Sequence, residues 1–316
     1  MSPMIPPFRA WWAMTAIASG CLFTASCETR EAHVRVVIRN AGSDTLVNAA
    51  QAWAEAYAQL KPMVSVEVAG GGSATGIVAL IDGAADLANC SRRVEPEEVE
   101  AARRKTGREP KEWIAGYDAL AVYVHRDNPL SEISLDQLAQ VYGREGHILR
   151  WDQLNATMPG SRSQEIILIG RQSNSGTYQY FRRAILGTHQ DFRLGTRDLS
   201  GSKEVVTLIG TALGAVGYSG MGYATGQVKM LRVSARPGGP AYAPTEANVA
   251  AGAYPITRPL YLYTLGLPTG VTKEYLEWIL SPAGQQVLRN AGYVPAASGP
   301  GHGPAARVPG LQVKQP

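Results

Sequence analysis

Three short stretches of the sequence carry the residue types that hold an oxyanion: Ala41–Thr45 (AGSDT), Gly70–Gly76 (GGGSATG) and Arg171–Thr177 (RQSNSGT). In each, a β-rich run leads into a turn of Gly, Ser and Thr, and the turn opens a run with helical spacing. The first N–H groups of a helix have no intrahelical partner and lie at the positive end of its dipole. Together with nearby hydroxyls they bind a small anion without a cage of lysines. Arg171 adds a guanidinium at the end of an apolar strand, the place where open α/β sheets bind ligands. Taken singly, each turn is what any helix start uses as a cap. Three in one chain point to one bound oxyanion.

Other chemistries fare worse. In GGGSATG, Gly70 and Gly72 lack a third glycine at position 75, and Gly76 is followed by Ile77 where a P-loop needs lysine, so a nucleotide is not expected. The five histidines, His33, His125, His147, His189 and His302, show no metal-ligand spacing, and no metal or cofactor is expected. Gly217–Gly222 (GYSGMG) fails as a nucleophile elbow because Met221 stands where glycine is required. Ser175 has no base beside it in sequence, although spatial neighbours are invisible at this level.

The chain of 316 residues, 45% hydrophobic and 18% charged, can build one large or two medium domains with real cores. Its net charge of +4 comes from 30 Lys+Arg scattered among 26 Asp+Glu, which is no nucleic-acid footprint. Residues 1–27 read as an export signal: Arg9, an apolar stretch from Ala10 to Phe23 too short for a membrane span, then small residues and cysteine. Two cysteines suit a lipoprotein-type cleavage. Cys27 is preferred, because cleavage at Cys21 would leave Leu22 and Phe23 exposed; ordinary cleavage and release is the alternative. Cys90 is then the one thiol left in the folded body and reads as a small buried hydrophobe.

The elements that must carry the three turns alternate. A strand over 34–38, a helix over 46–60 stopped by Pro62, a strand over 64–68, a helix over 77–81 and a strand over 86–90 imply an α/β layer architecture with parallel pairing. A charged helix follows over 95–105. Beyond it the reading gives strands over 119–124, 166–169, 215–218, 228–233 and 260–265. Helices are expected over 134–142, from Thr177 to Gly187, and over 205–213, 272–280 and 282–290. From Ala297 to Pro316 the chain offers little to bury and reads as a disordered tail.

Seven segments, AGSDTLVNAAQAWAEAY, GGGSATGIVAL, DLANCSR, NPLSEISLDQLAQVYG, IGRQSNSGTYQYF, GAVGYSGMGYA and YPITRPLYLY, stand in the order seen in the PstS-like family. These are the phosphate-binding proteins of phosphate ABC transporters, and the resemblance spans about residues 34–295. It implies an α/β, two-lobed periplasmic-binding-protein fold of the second type. Each lobe would be a mixed β-sheet flanked by helices, with the ligand in the cleft between them. The crossings would fall near Asp118–Leu120 and Pro255–Pro259, giving one lobe of 34–118 plus 256–296 and another of 119–255.

By position, the resemblance places phosphate ligands on Ser43, Asp44 and Thr45, on Ser73, and on Arg171, Ser175, Gly176 and Thr177. One departure stands out: well-known members have a hydroxyl residue where this chain has Asp44 and an aspartate where it has Ser91, which is followed by Arg92. The expectation is that Asp44 accepts the proton of phosphate while Ser91 and Arg92 donate; Asp44 as a mere helix cap is the alternative. Phosphate at neutral pH keeps a proton that sulfate lacks, so a fixed carboxylate separates the two. The resemblance implies an extracytoplasmic, monomeric receptor without enzymatic activity, serving an inner-membrane ABC permease. A receptor for sulfate, molybdate or a phosphonate, a phosphoester hydrolase using Ser175 or Ser73, and a signalling or adhesion protein on the same fold stay open at this level.

Overall fold

The structure, a computed structural model, describes residues 35–160, 163–188 and 190–298. The expected export signal with Cys21 and Cys27, residues His33, His189 and His302, and the tail from 299 lie outside the described residues.

The described residues open with strand and helix in alternation: β1 (Val36–Gly42), α1 (Val47–Leu60), β2 (Val64–Ala69), α2 (Ser73–Ile81), β3 (Leu87–Cys90) and α3 (Pro96–Thr106). β1 lies between β2 and β3 and runs parallel to both. α1 is held to the sheet by Ala49, Ala50, Trp53 and Tyr57, one buried stripe at helical spacing. A long strand follows, β4 (Pro110–His125).

After β4 come β5 (Glu132–Ser134), α4 (Leu135–Tyr142), β6 (Ile167–Arg171), α5 (Gly176–Leu186), β7 (Arg197–Leu199), α6 (Ser202–Ile209) and β8 (Ala215–Gly220). Three short strands, β9 (Val228–Met230), β10 (Arg232–Ser234) and β11 (Ala241–Tyr242), precede α7 (Glu246–Ala250). The chain returns through β12 (Thr257–Leu265), α8 (Gly270–Leu280), α9 (Pro282–Asn290) and β13 (Val294–Pro295).

The main sheet has the strand order β2-β1-β3-β12-β4-β8-β6-β7. β4 carries it across the molecule by changing partners. From Pro110 to Ala119 it pairs antiparallel with β12, and from Leu120 to Val124 with β8. Asp118 and Arg258 sit opposite each other on β4 and β12 just before that change. The buried apolar side chains follow the same division. Clusters around Trp53, Leu260 and Tyr275, and around Ile77 and Tyr263, draw on residues 38–115 and 260–293. Those around Phe181 and Tyr218, and around Tyr123 and Val205, draw on residues 119–256 with Val294.

Several elements depart from the sequence expectations for identifiable reasons. β4 starts at Pro110 rather than near 119, because its first half carries Lys111, Glu112 and Asp118, whose polarity masks a strand. α2 begins at Ser73, where the polar residues of GGGSATG already lie within the helix. α6 spans Ser202–Ile209 and stops at Gly210, earlier than expected. The expected strand over 228–233 breaks at Leu231: β9 pairs with β4, whereas β10 joins β5 and β11 in a separate small sheet.

Candidate oxyanion-binding site

The three turns meet, and hydroxyls are what meet. The Ser43 hydroxyl donates to Ser91 Oγ at 2.9 Å, and Ser91 Oγ lies 3.4 Å from Ser73 Oγ. Ser73 Oγ also accepts from the Ser91 backbone N–H at 3.1 Å. Thr45 Oγ1 and Thr177 Oγ1 are hydrogen-bonded at 2.7 Å across 132 residues of sequence. Ser43, Thr45, Ser73, Ser91, Ser175 and Thr177 are all buried.

Backbone geometry makes this approach possible. Gly42 has φ of +138°, and a side-chain carbon there would lie 2.2 Å from the Asn89 carbonyl oxygen, so only glycine lets β1 turn into the Ser43 loop beside β3. Gly176, the first residue of α5, would put such a carbon 2.4 Å from Ser73 Oγ and 2.7 Å from Ser91 Oγ. The N-terminus of α5 therefore presses directly on the hydroxyls contributed by α2 and by the loop after β3. Ser175 caps α5 by accepting from the backbone N–H groups of Thr177 and Tyr178. Its hydroxyl proton is thereby left to donate elsewhere. Among the described residues, Ser73 Oγ meets the hydroxyl and the backbone N–H of Ser91, and Ser175 Oγ the backbone N–H groups of Thr177 and Tyr178.

Arg171 ends β6 fully buried. Its Nη2 pairs with Asp44 Oδ2 at 2.8 Å and donates to the Ser200 carbonyl at 2.7 Å; Nη1 donates to Ser202 Oγ at 2.9 Å, and Nε to the Leu199 carbonyl at 3.3 Å. Four of its five N–H groups are so engaged, leaving one on Nη1. Burial holds this guanidinium below its ordinary pKa, while Asp44 pulls it back up. Asp44 in turn accepts the Gly71 N–H on Oδ1 at 3.0 Å, and its backbone carbonyl accepts from the Tyr223 hydroxyl at 2.5 Å. Burial pushes the Tyr223 phenol up to about 12, so it stays a neutral donor.

Arg92 is arranged differently from the other expected residues. Its stem packs against Gly176, but its fork turns to Glu98, pairing at 2.6 Å and 2.8 Å, and donates to the Arg93 carbonyl. Nε alone is buried without a hydrogen-bond partner. Burial works against its charge, and the Glu98 contacts override that and hold its pKa up. Cys90 is buried, and burial pushes its thiol well up, which removes it from nucleophilic chemistry.

A second arginine was not expected from the sequence. Arg258 on β12 is wholly buried and pairs with the equally buried Asp118 on β4, through Nη2 at 2.8 Å and Nε at 3.0 Å. Nη2 also reaches Thr177 Oγ1 at 3.1 Å and Thr45 Oγ1 at 3.3 Å, and Nη1 reaches the Ser91 carbonyl at 3.3 Å. A signal was present: a lone charge embedded in each of two apolar strand sequences, DALAVYV and ITRPLYLY, marks a buried pair, because buried charges do not stand alone.

Residues 28–283 match the PBP superfamily domain. The phosphate-binding protein PstS of Pseudomonas aeruginosa is 34% identical over 268 residues, covering 82% of this chain and 82% of the relative. The PstS of Bacillus subtilis is 30% identical over 256 residues, covering 80% of this chain and 79% of its own length.

The chain belongs to the PstS family. The two-lobed fold of that family is also seen in a Clostridium perfringens protein solved with bound phosphate, which superposes with a TM-score of 0.72 at 23% identity over 82% of this chain and 99% of that one. In this PstS-family chain, Ser43, Asp44, Thr45, Ser73, Ser91, Arg171, Ser175, Gly176 and Thr177 are gathered in one cluster, with Arg92 at its edge. Arg258, Asp118, Ser202 and Tyr223 complete the surroundings.

Proposed function

We propose that this chain is an extracytoplasmic solute-binding protein that holds inorganic phosphate and hands it to an inner-membrane ABC permease, acting as a monomer without catalysis. The reading rests above all on the convergence of three helix starts on one hydroxyl cluster, with Arg171 joined to it through Asp44. The names of its PstS relatives agree with it. Charge-assisted hydrogen bonds contribute about 1.5–3 kcal/mol each, and micromolar affinity requires roughly 8 kcal/mol, so a handful of donors here is enough.

Phosphate is taken up by Ser43, Thr45, Ser73, Ser91, Ser175, Gly176 and Thr177 as donors, with the remaining Arg171 N–H and Arg92 Nε adding charge. Asp44 accepts the ligand's proton through lone pairs not used by Arg171 and Gly71, which excludes sulfate. One lobe comprises residues 34–118 with 256–296, the other 119–255, and closure of the two reports loading to the permease. Among the described residues no helix is long and apolar enough to cross a membrane. Attachment to the envelope is assigned to lipidation of Cys27, with Cys21 as the alternative acceptor.

Isothermal titration of the mature protein with phosphate and with sulfate tests the reading. Phosphate should bind at micromolar or tighter concentration and sulfate should not. Arg171→Ala should abolish binding, and Asp44→Asn should weaken phosphate about tenfold while letting sulfate in. Tight sulfate binding by the wild type would remove the role given to Asp44.

A further inference from the structure

Two protons and three donors share a very small space around Thr45 and Thr177. Thr45 comes from the turn after β1, Thr177 from the first turn of α5, and Arg258 from β12 between them. The threonine oxygens are 2.7 Å apart, so one hydroxyl must donate to the other. Arg258 Nη2 stands 3.1 Å and 3.3 Å from the same two oxygens, and a guanidinium only donates. Neither hydroxyl can therefore aim its proton at Arg258. One proton is spent between the threonines, and the other has to point outward.

The arginine itself has no freedom to give way. Asp118 Oδ2 accepts from both its Nε and Nη2, Asp118 Oδ1 is fixed by the Met221 N–H at 2.9 Å, and the Ser91 carbonyl takes Nη1. The Tyr180 ring lies 5.7 Å from the guanidinium carbon, and its hydroxyl is tied to the Thr257 carbonyl at 2.5 Å. The Arg258–Asp118 pair carries no net charge, so it adds little to the attraction of an anion. Its effect is on the direction of the hydroxyl protons.

We propose that Arg258 is a positioning residue: it locks the Thr45–Thr177 pair as a fixed hydrogen-bond donor, assembled from the two ends of the site, toward an unprotonated oxygen of the ligand. The inference rests on the phosphate reading above and deepens it. It divides the ligand's recognition in two, with Asp44 taking the protonated oxygen and the Arg258-oriented threonines taking a bare one. Without the arginine, the two hydroxyls can rotate and present lone pairs to the ligand, which repel it.

The test is phosphate titration of Arg258→Lys, Thr45→Val, Thr45→Ser and the double variant Arg258→Lys/Thr45→Val, each measured well below its melting temperature. Arg258→Lys keeps the charge opposite Asp118 but loses the fork. It should bind phosphate at least tenfold more weakly while keeping a native circular-dichroism spectrum. Thr45→Val should lose about as much, Thr45→Ser should stay within threefold of wild type, and the double variant should be no weaker than its weaker parent. A purely structural arginine would leave the dissociation constant of the folded fraction unchanged, or give single losses that multiply in the double variant. Either result overturns the proposal. Should Arg258→Lys fail to fold, the neutral exchange Arg258→Gln/Asp118→Asn replaces it, with the same tenfold loss expected and wild-type affinity overturning the proposal. A wild type that ignores phosphate in the control titration sinks the ligand reading first, whereas wild-type binding with an unaffected Arg258→Lys sinks this inference alone.

Discussion

The site holds two arginine–aspartate pairs of similar length, and they are built for different work. Arg171–Asp44 closes at 2.8 Å with the aspartate side chain 17% exposed, whereas Arg258–Asp118 closes at 2.8 Å with both side chains at 0%. The first joins the end of β6 to the turn after β1, residues that the sequence separates widely, and its carboxylate stays partly exposed. The second joins neighbouring strands at opposed register positions inside the sheet. A partly exposed pair can share its partners with a ligand. A sealed pair cannot, because removing either charge leaves the other without water.

Breaking the sealed pair gives the largest effect. Asp118→Ala leaves Arg258 charged and buried, and it should cost about 3–5 kcal/mol of stability in urea unfolding. Asp44→Asn keeps an oxygen that accepts from Arg171 and should cost less, at most about 1.5–3 kcal/mol. Equal losses from the two variants would erase the distinction between the pairs.

Gly176 tests the ligand side of the comparison alone. A Cβ there would lie 2.4 Å from Ser73 Oγ, 2.7 Å from Ser91 Oγ and 3.1 Å from Arg92 Cγ. Gly176→Val should weaken phosphate about 100-fold, equivalent to about 2.8 kcal/mol, in calorimetric titration. Near-wild-type binding by this variant would mean that the ligand does not sit against the start of α5.

The two pairs also differ in how far the sequence revealed them. Asp44 and Arg171 lie in Gly/Ser/Thr turns, where local chemistry and helix starts coincide, and both were legible as candidates. The alternation of strand and helix between residues 36 and 90 was legible too, because Trp53, Tyr57 and the neighbouring alanines repeat at helical spacing. Arg258 and Asp118 belong to no local motif, since each gains its meaning from a cross-strand partner 140 residues away. The same blindness hid the first half of β4, whose role depends on β12. Arg92 shows the converse: local sequence put it beside Ser91, but Glu98, six residues on, captures its fork.

The smallest effect belongs to an ion pair on the rim. Arg183 on α5 reaches Glu95, at the start of α3, at 3.3 Å, with side chains 55% and 35% exposed. It links the same two regions that the buried hydroxyls link, yet water screens it on both sides. Arg183→Gln should therefore cost only about 0.2–1 kcal/mol of stability, and the difference should vanish in high salt as the Debye length shrinks to a few ångströms. Phosphate affinity should move by less than threefold. A larger, salt-insensitive loss of affinity would show that the rim pair shapes the site as a buried pair does, and the contrast with the sealed Arg258–Asp118 pair would fail.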